Sequence, residues 1–123
     1  MSENILKKII DNKKIKINKL KKEISINYLS EKINENKNYF QFKDKILDNH
    51  NNDKISIIAE IKKASPSAGI IIKDYNPVDI ATTYKSNKAT CLSVLTEEDF
   101  FLGNLIHISK IKQKIDLPIL CKD

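Results

Sequence analysis

Apolar residues recur along the first two dozen positions with helical spacing. Ile5, Leu6, Ile9, Ile10, Ile17, Leu20 and Ile24 fall roughly three or four apart between lysines, which predicts an amphipathic helix over 5–24. Ser2 is placed to cap it. Residues 25–54 are polar and rich in Asn, and only the stretch YFQFKDKIL, residues 39–47, is apolar enough to predict a second, short helix. The run DNHNND then breaks the pattern and marks a boundary.

From residue 55 the texture changes. ISIIAEIK, 55–62, is too short and too β-branched for a helix and is apolar on both faces, the pattern of a strand in a parallel sheet covered on both sides. A loop, KASPSAGIIIKDYN, follows. Pro77 then sits behind Asn76 at a first-turn position, with Asp79 near the positive helix end, and opens a helix in PVDIATTYKSN. A second strand is predicted in ATCLSVLTE and a loop in EDFFLG. A helix begins near Asn104, with Leu105, Ile108, Ile111 and Ile115 on one face, and LPILCK reads as a third strand. The order is helical segment, β, α, β, α, β. That alternation gives the fold class α/β with right-handed parallel crossovers. We divide the chain into a helical part, 1–54, and a βαβαβ part, 55–123.

Composition modifies this picture in a few places. With 123 residues, 41% hydrophobic and 31% charged, the chain is one domain or a piece of one. No apolar run reaches the roughly 18 residues of a membrane span, and MSENILKKII lacks the apolar stretch of a signal peptide. We expect a cytoplasmic protein with no membrane partner. The net charge of +6 raises a nucleic-acid reading, but all 22 basic residues are Lys, whereas base-edge and bidentate phosphate recognition lean on Arg. Abundant Lys, Asn and Ile are also what an A/T-biased coding sequence produces. We therefore expect no specific nucleic-acid partner. A weak, salt-sensitive affinity for polyanions remains as the alternative, and the Lys-rich face of the first helix reads as solvated surface or, more sharply, as a membrane or RNA surface. Cys91 and Cys121 make no metal spacing with His50 or His107 and sit in apolar runs; we expect buried free thiols, no metal and no cofactor.

Strand parity carries the chemistry. Residues two apart share a face, so Ile58, Glu60 and Lys62 point one way while Ile57, Ala59 and Ile61 point the other. Leu120 and Lys122 likewise share a face at the end of the third strand. If these strands are neighbours, three charges converge at one mouth. They could form an ion-pair network that only satisfies buried charge. Two inward lysines also suit an anionic ligand or proton transfer, since inward ammonium groups are costly to bury without compensation.

The stretches IIAEIKKASPSAG, IATTYKSNKATCLSVLTEEDFFLG and LPILCKD, in that order and at matching spacings, resemble the indole-3-glycerol phosphate synthases. The likeness is strong over 55–123 and loose over 1–54. It implies the N-terminal part of a TIM (β/α)8 barrel with a helical N-terminal extension, truncated after the third strand, since such a barrel needs about 250 residues. The strands implied to be missing are those that in the family carry the general-base glutamate and the phosphate-binding loops. The implied activity of the complete enzyme is tryptophan-pathway ring closure of the phosphorylated substrate 1-(2-carboxyphenylamino)-1-deoxyribulose 5-phosphate, with loss of CO2 and water.

By this resemblance Lys122 and Lys62 are the two catalytic lysines, one the general acid and the other the residue that positions the substrate; we take Lys122 as the acid and Lys62 as its electrostatic partner toward substrate anions. Glu60 is the carboxylate that holds lysines and substrate in register. Ser65 matches a substrate-contacting serine, and Phe101 an aromatic that packs on the anthranilate ring, or else a loop anchor. SVLTE and LPILCKD look most like the enterobacterial form, which implies fusion to a phosphoribosylanthranilate isomerase domain. The family loop commonly reads SPSKG or SPSRG, so Ala68 removes a positive charge, and Asn104 replaces a frequent Ser as a cap. The competing readings are another phosphate-binding barrel enzyme of the pathway, against which EIKKASPS speaks, and a small Lys-rich polyanion-binding protein.

Overall fold

The structure, a computed structural model, describes residues 4–37 and 39–123. It divides into two compact units, Met1–Tyr39 and Phe40–Asp123. In the first, helix α1 (Ile5–Glu23) matches the predicted span. Ser2, the expected cap, lies outside the described residues; Asn4 caps the helix by accepting from the Lys7 N–H at 3.3 Å. A second helix, α2 (Ile26–Glu35), was not expected. Ser25 caps it, accepting from the Tyr28 N–H at 3.1 Å. Neither helix buries a residue. Among the described residues no helix is long and apolar enough to cross a membrane.

The second unit opens with α3 (Phe42–Asn51), which starts later than predicted and runs on through most of the expected breaker. Tertiary bonds explain why polar residues stay helical there. Asn49 Nδ2 donates to Ser56 Oγ at 3.1 Å and to Thr90 Oγ1 at 3.3 Å, tying α3 to the starts of two strands. Strand β1 (Ile58–Ile61) is shorter than predicted because its ladder begins only where Ile58 meets Cys91. The predicted loop after it contains an antiparallel hairpin of β2 (Ala64–Ser65) and β3 (Gly69–Ile70), turned at Gly69 with φ of 64°. Helix α4 (Pro77–Ser86) has the expected Asn76 cap, whose Oδ1 accepts from Val78 and Asp79 N–H at 3.1 and 3.2 Å. Strand β4 (Cys91–Leu95), helix α5 (Leu105–Lys112) behind its Asn104 cap, and strand β5 (Ile119–Lys122) complete the unit.

The sheet order is β1-β4-β5, both pairings parallel. One face packs against α4 and α5 through Ile61, Ala81, Leu92, Val94, Ile111, Ile115 and Leu117, all buried. This matches the predicted alternation of strands and helices. Two details differ. Leu105 is 64% exposed because six residues at 3.6 per turn place it about 120° around the helix from buried Ile111. Cys91 is buried as expected, but Cys121 is exposed.

Candidate active site

The parallel register sets Glu60 opposite Ser93 and Ser93 opposite Leu120, with Leu95 opposite Lys122. Side chains opposite one another share a face, so Glu60 and Lys122 emerge from β1 and β5 on the side away from α4 and α5. There the three predicted charges meet. Lys62 Nζ lies 3.1 Å from Glu60 Oε1, and Lys122 Nζ lies 2.8 Å from Glu60 Oε2. One carboxylate thus bridges two ammonium groups, one on each oxygen.

All three side chains are a third to a half exposed. An ion pair in such a setting contributes only about 0–1 kcal/mol to stability, so the cluster is a weak staple and an accessible charged surface. The hydrogen bond from Lys122 lowers the Glu60 pKa below its ordinary value of 4.5, partial burial opposes that shift, and Lys62 adds to it. Two cations on one anion leave a net positive charge, which suits an anionic ligand.

The backbones beneath these side chains are also held. Tyr84, on α4, reaches through the core and donates its hydroxyl to the Glu60 carbonyl at 2.9 Å. Thr96, just past β4, donates to the Lys122 carbonyl twice, from its N–H at 2.8 Å and from Oγ1 at 3.0 Å. Glu97 is 2% exposed. Its carboxylate accepts the N–H groups of Asp99 at 3.0 Å, Phe100 at 2.6 Å and Phe101 at 3.1 Å, and its carbonyl accepts from Gly103 at 2.7 Å.

Ser65 and Phe101 sit in the loops that leave the C-terminal ends of β1 and β4. They make their bonds within their own loops. Ser65 Oγ accepts from the Ala68 N–H at 3.1 Å and lies 3.4 Å from Ser67 Oγ, closing the hairpin turn. Phe101 is half-buried, its backbone held by Glu97. The structure therefore joins Glu60, Lys62 and Lys122 directly and holds Ser65 and Phe101 at the same end of the sheet.

Sequence reasoning missed Tyr84, Thr96 and Glu97. Apart from Cys121 Sγ, 3.6 Å from Thr96 Oγ1, the partners described above are backbone atoms, which no residue pattern displays. The one available signal was the position of Thr96 and Glu97 at the tip of an apolar strand, where strand-end residues of α/β folds gather. Among the described residues no group of three or more His, Cys, Asp or Glu side chains is placed to hold a metal.

Comparison with known proteins concerns the chain as a whole. A family model described as indole-3-glycerol phosphate synthase matches residues 6–123. Among curated proteins, the indole-3-glycerol phosphate synthase of Microcystis aeruginosa is 39% identical over 98% of this chain and 40% of its own length. That of Prochlorococcus marinus is 43% identical over 99% of this chain and 41% of its own length. That of Alkaliphilus metalliredigens is 41% identical over 97% and 44%. The chain thus spans about two fifths of the length of these relatives.

Proposed function

The chain belongs to the indole-3-glycerol phosphate synthase family, and from that premise we propose that it carries the first part of an enzyme that closes an indole ring. The family is a TIM barrel, and the parallel β1-β4-β5 sheet backed by α4 and α5 agrees with the opening strands of one. In this reading residues 1–54 are the helical extension and 55–123 the first β-α-β-α-β part of the barrel. The substrate is 1-(2-carboxyphenylamino)-1-deoxyribulose 5-phosphate; the products are indole-3-glycerol phosphate, CO2 and water.

The observation that carries the proposal is the Lys62–Glu60–Lys122 bridge at the C-terminal ends of two parallel strands, where barrel enzymes place their chemistry. Lys122 donates a proton to the ribulose carbonyl oxygen as the ring carbon bearing the carboxylate attacks the carbonyl carbon. A C–C bond forms and the carbonyl π pair becomes a hydroxyl. The C–CO2 bond then breaks, and its electron pair restores the ring. Lys62 offers its charge to the substrate carboxylate before that loss. Glu60 holds both ammonium groups in place and keeps them separated. The final dehydration calls for a base beyond these residues.

Ser65 closes the loop after β1 and Phe101 supplies an aromatic surface for the anthranilate ring. The SVLTE and LPILCKD blocks add the finer proposal of a fused isomerase domain, which an isomerase assay on the full-length protein checks. To test the main reading, the full-length protein is incubated with the substrate. Equal amounts of CO2 and indole product are expected; a folded protein that releases neither overturns it.

A further inference from the structure

Two adjacent residues outside the charged cluster touch the backbones of both Lys122 and Phe101. Thr96 donates two hydrogen bonds to the Lys122 carbonyl and so helps to hold the backbone from which that ammonium group extends. Its neighbour Glu97 gathers three consecutive N–H groups of the loop onto one buried carboxylate. The loop it gathers is a strained one. Leu102 adopts φ of 52° without being glycine, and a Cβ at Gly103 would meet the Leu95 carbonyl oxygen at 2.3 Å. A buried carboxylate is costly unless hydrogen-bonded, and charge-assisted bonds to backbone N–H groups are among the stronger ones. Here those bonds fall on the segment that presents the aromatic ring.

We infer that the Thr96–Glu97 pair is the positioning element of this site, Thr96 fixing the proton-donating lysine and Glu97 fixing the ring-stacking phenylalanine. The inference rests on the synthase reading. It divides the two roles between two kinetic constants. A misplaced Lys122 slows the chemical step while substrate still binds. A loosened Phe101 weakens binding while bound substrate still reacts.

The test uses the full-length protein with Thr96→Val, Thr96→Ser, Glu97→Gln and Glu97→Asp. Thr96→Val removes the hydroxyl donor at constant size and should lower kcat about three- to tenfold with KM nearly unchanged, the range of one hydrogen bond. Thr96→Ser should restore it. Glu97→Gln turns an amide donor toward the loop N–H groups and should raise KM about tenfold with kcat nearly unchanged, since bonds to a charged acceptor are the stronger kind. Glu97→Asp, shorter by one methylene, should fall between and serves if the Gln variant does not fold. Amide hydrogen exchange at Phe100 and Phe101 should quicken in the Glu97 variants. If the wild type turns over substrate and the variants lose only melting temperature, with both constants kept per folded molecule, the positioning roles are wrong. If the wild type does not turn over substrate, the synthase reading fails and this inference with it.

Discussion

Glu60 accepts one ammonium on each oxygen, and its response to pH reports whether that bridge persists in solution. Its folded pKa lies below the ordinary 4.5. A depressed carboxylate stabilises the folded state above its unfolded pKa, and that contribution is lost as pH falls through the folded value. We predict that the Glu60 carboxyl carbon, followed by NMR in the full-length protein, titrates below 4.5 and moves upward in Lys122→Met. An unchanged titration would mean the pair does not form. Phe101 offers a second test at this scale. Phe101→Ala should raise the substrate dissociation constant, because an aromatic contact contributes about 0.5–1.5 kcal/mol beyond its area; a lower melting temperature with unchanged affinity would make the ring a loop anchor. Glu60, Lys62 and Lys122 were legible because strand parity puts charge on a predictable face. Glu97 was not, because a glutamate in TEED looks like surface charge until its three backbone donors are seen.

The β-strands and the helices between them announce themselves through uninterrupted apolar runs and through the Asn76 and Asn104 caps. Elements whose stability lies in caps or tertiary bonds did not. Helix α2 has Ser25 as its cap and Ile26, Leu29 and Ile33 at helical spacing, a signal outweighed by the surrounding Asn-rich composition. Helix α3 continues through Asn49 because its amide reaches Ser56 and Thr90, contacts distant in sequence. The β2–β3 hairpin has two residues per strand, too few for any periodicity to register. The element most sensitive to a single change is the loop after β4. Gly103→Ala places a Cβ 2.3 Å from the Leu95 carbonyl oxygen and 2.7 Å from its carbon, both backbone atoms that cannot swing aside. It should destabilise the full-length protein by about 1–3 kcal/mol, the usual cost of overpacking. A chemical-denaturation midpoint equal to wild type would contradict that loop geometry.

On the scale of the molecule, the parallel sheet among the described residues has three strands, and its outer two are each paired on one side only there. Ile58 and Leu120, on the face away from the helices, are 48% and 47% exposed. Open edges and an open apolar face invite association, and parallel pairing depends on contacts distant in sequence. Made alone, residues 1–123 should associate and show no turnover; a monomer with one cooperative melt that converts the substrate would refute the reading that they need the further strands of a barrel. The central claim is that the bridged lysines perform the ring closure. Its most direct test is the single-turnover rate of Lys122→Met in the full-length protein, with the apolar stem kept and the proton removed. We predict a fall of about 100-fold or more, the usual effect of losing one acid–base group, with substrate binding retained. A variant keeping more than about half of the wild-type rate would contradict the claim, because a loss below twofold is far smaller than a missing general acid produces.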